Sequence, residues 1–238
     1  MGLTIHYKLI APNGTDAGRA RDLVCQLRRR AQGFKYRGRV DAVHAPGDDA
    51  ESLRWGQEWM FRKEPDSRRE HQAKILPLEG YIFPVAVGKD CEPLWLGLCR
   101  YPLTAMVGGQ RMRTQLLGWR LHGFCKTQYA SLNGWEYFRR CHTAVIDLLN
   151  AGRSLGLLVE INDEGEYWPG RDLKALRQNL DEMNGLVAGA AGALKDFYSD
   201  SDKPGVESPI FAHKDFERLE AEGAERAAKA LNDVIHKL

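Results

Sequence analysis

The sequence predicts an α+β fold, with an antiparallel or mixed sheet carrying ferredoxin-like β-α-β elements and packed by long C-terminal helices. Three observations carry this. Apolar residues alternate with period two near the start and through the middle of the chain. They recur by threes and fours at 15–32 and over most of the chain after Asn133. A strand-helix-strand pattern opens the chain and a helix-strand-helix pattern fills 135–196, with two hairpins between, which suits a single or duplicated ferredoxin-like arrangement.

LTIHYKLI at 3–10 alternates as a strand does, and PNG at 12–14 punctuates it. Thr15 or Asp16 can cap the helix that follows, because a short side-chain oxygen satisfies first-turn N–H groups. Ala20, Leu23, Val24, Leu27 and Ala31 carry that helix to about Gln32, and Gly33 is a natural stop. Arg28, Arg29 and Arg30 then complement the dipole in its last turn. A strand around 39–44 completes a β-α-β opening.

Residues 46–78 have the least regular pattern. Trp55 and Trp59 at i and i+4 suggest a short helix, and the charged run RKEPDSRREHQAK suggests an exposed loop. YIFPVAV at 81–87 and LWLGLCRY at 94–101 read as a hairpin, with Pro84 marking an edge or bulge. LTAMV, Gly108-Gly109 and QRMRTQLLGWRL read as a second one.

After Asn133, Phe138, Cys141, Val145 and Leu149 form a broad apolar helix face, followed by GLLVEI as a buried strand. A long helix follows Asp172, and its Gly185, Gly189 and Gly192 call for a closely packed neighbour. The predicted organisation is one α+β domain over 1–198, a linker over 199–212 and a C-terminal helix over 213–238. Phe216, Leu219, Ala227, Leu231 and Val234 give that last helix one apolar seam, which could join two copies of the chain.

Of 238 residues, 43% are hydrophobic and 28% charged, the balance of an ordinary globular protein rather than a disordered one. No run approaches the ~18 apolar residues of a membrane span. A cytoplasmic protein without a membrane partner is expected. The five cysteines are an odd number and irregularly spaced, which argues for free thiols. Residues 1–149 hold 23 Lys and Arg against 15 Asp and Glu, and residues 150–238 hold 11 against 17. Basic and acidic residues nevertheless interleave, with no basic stripe, no phosphate loop and no recognised nucleic-acid motif, so nucleic acid is an unlikely partner.

The chemistry-bearing residues crowd into LGLCRYP, FCKTQYAS, RCH and VEINDEGEYWPGRD, each at an expected strand end or helix start. Cys125 beside Lys126 is where an activated thiolate would be sought, with His142 as its base and Asp163 or Glu164 orienting that base. Lys126, Gln128, Tyr129, Tyr167, Arg171 and Cys99 would contact a substrate. The competing reading makes Cys125 a buried thiol, His142 a core-edge residue and the acidic stretch a turn with Asp172 as a helix cap. No cofactor is predicted. Zinc held by His122, Cys125, Cys141 and His142, or another divalent cation at the acidic turn, stays open; but adjacent Cys-His on a helix diverge by about 100°.

These stretches and the opening LTIHYKL resemble, in patches from residue 1 to about 196, segments of a group of uncharacterised bacterial proteins of similar length. The resemblance implies a bacterial, cytoplasmic protein and no mechanism. Two expectations follow from the residues: a hydrolase or group transferase acting on a small polar substrate through a Cys/His/acid pocket, or a non-catalytic binding or interaction protein. The sharpest is that Asp163, Glu164, Tyr167 and Arg171 are partly buried and face the Cys125–Tyr129 segment.

Overall fold

A computed structural model describes residues 3–65, 68–199 and 207–235, with side chains left undescribed at 198–199 and 230–235. The chain is α+β, with an antiparallel sheet and C-terminal helices. It divides into two compact units. One gathers His6–Cys125 and Cys141–Asn162; the other gathers Met1–Ile5, Lys126–Arg140 and Asp163–Leu238.

The first unit is built on a six-stranded sheet. Its strands are β1 (Thr4–Ile10), β2 (Ala42–Val43), β5 (Glu79–Ala86), β6 (Leu94–Arg100), β9 (Trp119–Lys126) and β10 (Leu158–Asp163), in the order β10-β1-β9-β6-β5-β2. The N–H of Ala11 bonds the carbonyl of Trp119 at 2.9 Å, and the rings of His6 and Phe124 lie opposite each other, which makes β1 and β9 antiparallel. Alternation sends Tyr7, Leu9, Leu121 and Cys125 to one face, where the core lies; His6, Lys8, His122 and Phe124 go to the other.

Helix α1 (Ala17–Tyr36) covers β5 and β6 with Ala20, Leu23, Val24 and Leu27. Asp16 is its N-cap, accepting from the N–H of Arg19 at 2.7 Å. The helix outruns the predicted end because Gly33 adopts a helical conformation; the stop comes after Arg37, at Gly38 with φ +67°. The arginine triplet is therefore mid-helix, and the Nε of Arg28 donates to the carbonyl of His44 at 2.7 Å. The expected second strand shrinks to the two residues of β2, which pair antiparallel with β5 at the edge far from β1.

Between β2 and β5 the structure departs most from expectation. Helix α2 (Ala50–Leu53) continues into a 3-10 turn at Arg54–Gly56, so Trp55 lies in that turn. Trp59 is on β3 (Glu58–Lys63), which pairs with β4 (Glu70–Ile75). The charged run is thus largely a hairpin, whose alternating EWMFRK shows a period-two signal that the charges obscured. Lys74 lies opposite Trp59 with its Nζ 5.6 Å from the ring centroid. The second predicted hairpin closes early, as β7 (Thr104–Val107) and β8 (Gln110–Arg113) around Gly108-Gly109, both with positive φ. Strand β10, expected to be buried, is an edge strand with alternating exposure, and Leu158 is largely open to solvent.

In the second unit, helices α4 (Leu173–Ser199) and α5 (Phe216–Ile235) pack together. Asp172 caps α4, accepting from the N–H groups of Lys174 and Ala175. The glycines on α4 meet the neighbour they call for: a Cβ on Gly189 would stand 3.0 Å from the carbonyl carbon of Gly223 on α5. Val187, Ala188, Ala191, Ile210 and Leu219 form this unit's apolar cluster. The start of the predicted C-terminal seam is therefore occupied within the chain, whereas Ala227 is exposed and the Leu231 and Val234 side chains lie outside the described residues. Half of the predicted linker (200–206) also lies outside them; Pro209–Ala212 is a 3-10 turn that buries Ile210.

Candidate functional site

On the open face of the sheet in the first unit, the 3-10 turn is drawn down tightly. A Cβ on Gly56 would lie 2.9 Å from the Sγ of Cys99, and the carbonyl of Gly56 accepts from the Tyr101 hydroxyl at 2.6 Å. Only glycine allows this approach. It sets Trp55 flat on Trp95 of β6, with centroids 4.5 Å apart and planes 11° from parallel.

Trp55, Trp95, Trp59, Phe61 and Phe124 wall a cavity of about 580 Å³. Its polar groups are His6, Arg54, Gln57, Glu58, Glu92 and His122. Trp55, Phe61 and Phe124 are about half exposed, an unusual concentration of aromatic surface in one place. Beneath, Tyr7 lies fully buried against Gly123, where a Cβ would come 2.5 Å from its oxygen, and its hydroxyl donates to the carbonyl of Trp95. Burial pushes the Tyr7 phenol well above its ordinary pKa, so it is a fixed donor.

A second cavity, of about 510 Å³, shares His6, Tyr7 and His122 with the first and adds Lys8, Glu160 and Asn162. The Nζ of Lys8 donates to Glu160 at 2.8 Å, across from β1 to β10. That contact, with weaker pulls from His122 and Arg120, holds the Glu160 carboxyl below its usual range. On the cavity's other side, the Nδ1 of His122 stands 3.5 Å from Glu58, whose side chain is mostly buried. A carboxylate there favours the proton on Nδ1 and leaves Nε2 as the acceptor.

Of the Cys/His/acid group predicted from the sequence, Cys125 and His142 are closed to solvent. Cys125 is completely buried, and its Sγ donates to the carbonyl of Glu92 at 3.2 Å. Burial, reinforced by Glu92 and Cys141, pushes the thiol up, the opposite of activation. His142 is completely buried on α3 (Trp135–Arg153) and closed to solvent. Cys99 is another core thiol, pushed up to about 12 by burial. The zinc alternative fails on strand geometry, because residues 122 and 125 on β9 point to opposite faces. Among the described residues, no group of three or more His, Cys, Asp or Glu is arranged to hold a metal.

The other predicted residues lie in the second unit and are occupied structurally. Asp163 accepts from the N–H groups of Gly165 and Trp168 at 2.8 and 3.0 Å, closing its own turn. Glu164 accepts from the N–H of Thr4 at 2.8 Å. Tyr167 is buried, and exposed Arg171 donates to its hydroxyl at 3.4 Å. Gln128 is buried between the N–H of Leu3 and the Oδ1 of Asn184, each at 2.9 Å. Tyr129 packs on the apolar cluster of α4 and α5, and Lys126 is half-buried.

The sharpest expectation therefore needs two corrections. Glu164 and Arg171 are exposed. The turn and the Thr127–Gln128 segment also bond opposite edges of β1, through Thr4 and Leu3 respectively, so that strand stands between them.

No family model, curated protein or solved structure matches the chain. The cavities rest on geometry alone. Sequence reasoning had noted Trp55 and His122 but missed His6, Trp95 and Phe124 as a group. Their signal is the outward half of the alternations in IHYKL, LWL and LHGFC, where aromatic rings and imidazoles fall at positions facing away from the core.

Proposed function

We propose that this protein binds a small organic ligand with a flat ring in the aromatic cavity between the Trp55–Trp95 stack and Phe124. The single observation that carries this is the gathering of five aromatic side chains around about 580 Å³ of open space within one unit. Aromatic rings left in contact with water forfeit burial, and a stacking ligand recovers it. The order β10-β1-β9-β6, with α1 following β1 and α3 preceding β10, supports a ferredoxin-like core as the platform.

The enzyme reading, a hydrolase or group transferase, retains support from one pair. Glu58 beside His122 is the orienting leg of a general base, with His6 on the neighbouring strand as a second proton-transfer group. In that reading the chemistry moves away from Cys125 and His142.

Ligand-observed NMR with indole, purine and phenyl fragments tests the binding reading. Ring fragments should bind, and Trp55→Ala and Phe124→Ala should each weaken them by about 1–3 kcal/mol, the worth of one stacking contact. Absence of binding by every ring fragment, or binding that ignores both substitutions, would refute it.

A further inference from the structure

Resting on that ring-binding reading, we propose that the two adjoining cavities bind a nucleotide, with the base stacked in the aromatic cavity and its phosphate in the groove beside Lys8, His122 and Asn162. The cavities share His6, Tyr7 and His122, so one ligand can reach from the aromatic walls into the groove without leaving the surface. A plain hydrocarbon ring would leave Gln57, Glu58 and Arg54 unused at the cavity wall. A base has donors and acceptors on its edge that suit such groups.

The groove has the complementary chemistry for an anion. Lys8 offers three N–H donors, of which Glu160 takes one, and the amide of Asn162 adds more. Glu160 is the only carboxylate of the described residues lining it, against Lys8 and the nearby Arg120. The Lys8–Glu160 pair is half exposed, so sharing the ammonium with a phosphate gives up little. The base-and-phosphate chemistry has two sources, a free mononucleotide or one residue of a single strand.

Quenching of tryptophan fluorescence by AMP, adenosine, inorganic phosphate and hexa-adenylate, measured on the full chain, tests this. AMP should quench saturably and bind about tenfold or more tightly than adenosine at low salt, an advantage that charge-assisted hydrogen bonds supply and added salt erodes. Phosphate alone should not quench. Lys8→Met should abolish the advantage of AMP while leaving adenosine binding unchanged, and Trp55→Ala should weaken both; circular dichroism checks that each variant is folded. Tighter binding of hexa-adenylate than of AMP would assign the site to a strand, and equal or weaker binding to a free nucleotide, both within the proposal. Equal affinity for AMP and adenosine, or an advantage that survives Lys8→Met, would overturn the phosphate groove while ring binding stands. Binding of indole or phenyl fragments without any nucleoside would overturn the nucleotide alone, and binding of no ring compound would end both readings.

Discussion

Replacing Gly223 with alanine should destabilise the α4–α5 pair, although the same change in an open helix stabilises. Alanine in a helix is favoured over glycine by about 1 kcal/mol. Against this, a Cβ at Gly223 would stand 2.9 Å from the carbonyl carbon of Gly185 and 3.2 Å from the Cα of Gly189, with the Gly185 oxygen closer still. Those are backbone atoms, so no rotamer change relieves them. The helices must separate by roughly 1.5 Å to bring the closest contact to about 3.5 Å, and overpacking of this kind costs about 1–3 kcal/mol. Because the closest atom is a backbone oxygen, the upper part of that range applies and a net loss of ~1–2 kcal/mol remains. Gly33 on α1 is the control, since nothing lies within 4 Å of its Cβ position and Gly33→Ala should stabilise by up to about 1 kcal/mol. Urea unfolding followed by circular dichroism gives the two signs, and hydrogen exchange of α4 and α5 peptides locates the loss. Stabilisation of both variants would refute the close crossing at Gly223.

Other tests address the corrected site. Brief alkylation of the native protein near neutral pH, read by mass spectrometry, should mark exposed Cys25 and spare Cys99, Cys125 and Cys141; modification of Cys125 as fast as Cys25 would contradict its burial. The folded value of Cys99 is raised, so its contribution to stability is complete below the unfolded thiol's ~8.5 and declines as pH rises toward about 12, which unfolding measured between pH 8 and 10 should register. Glu160 has a lowered folded value, so its contribution is present above the ordinary carboxyl range of about 4.3 and is lost as pH falls through the folded value. NMR titration should find its midpoint low and Lys8→Met should raise it; an unchanged midpoint would remove Lys8 as the cause. Gln128→Ala should strip partners from the buried N–H of Leu3 and from Asn184, at about 1–3 kcal/mol for each group left unsatisfied. A loss in urea unfolding below ~0.5 kcal/mol would count against that relay.

Periodicity made most elements legible, because alternation in LTIHYKLI and threes and fours in α3 and α4 report which side of each element meets a core. It misled where two signals overlapped. Trp55 and Trp59 have helical spacing, yet they fall on either side of Gly56, which must approach Cys99 and so ends the helical path. At the candidate site the residue types drew attention to the wrong face. Cys125 and His142 are reactive in isolation, but reactivity depends on exposure, which follows from strand phase and helix face rather than from residue type. His6 and Phe124 sit 118 positions apart, and only the pairing of β1 with β9 makes them neighbours. Asp163 and Glu164 illustrate the same limit, since their carboxylates are taken by backbone N–H groups of the turn and of β1.

The contact beneath the 3-10 turn makes a core sulfur atom the adjusting screw of the aromatic cavity. The Sγ of Cys99 lies under Gly56 and also 2.6 Å from the position a Cβ would take on Gly80, so two strands and the turn meet around one side chain. Trp55 is the residue next to Gly56, and the height of its ring over the sheet follows the bulk at position 99. A valine there would lift the turn and widen the ring slot, whereas a serine would keep its height and change only polarity. On the ring-binding proposal, substitutions at positions 80 and 99, which line no cavity wall, would alter which rings bind.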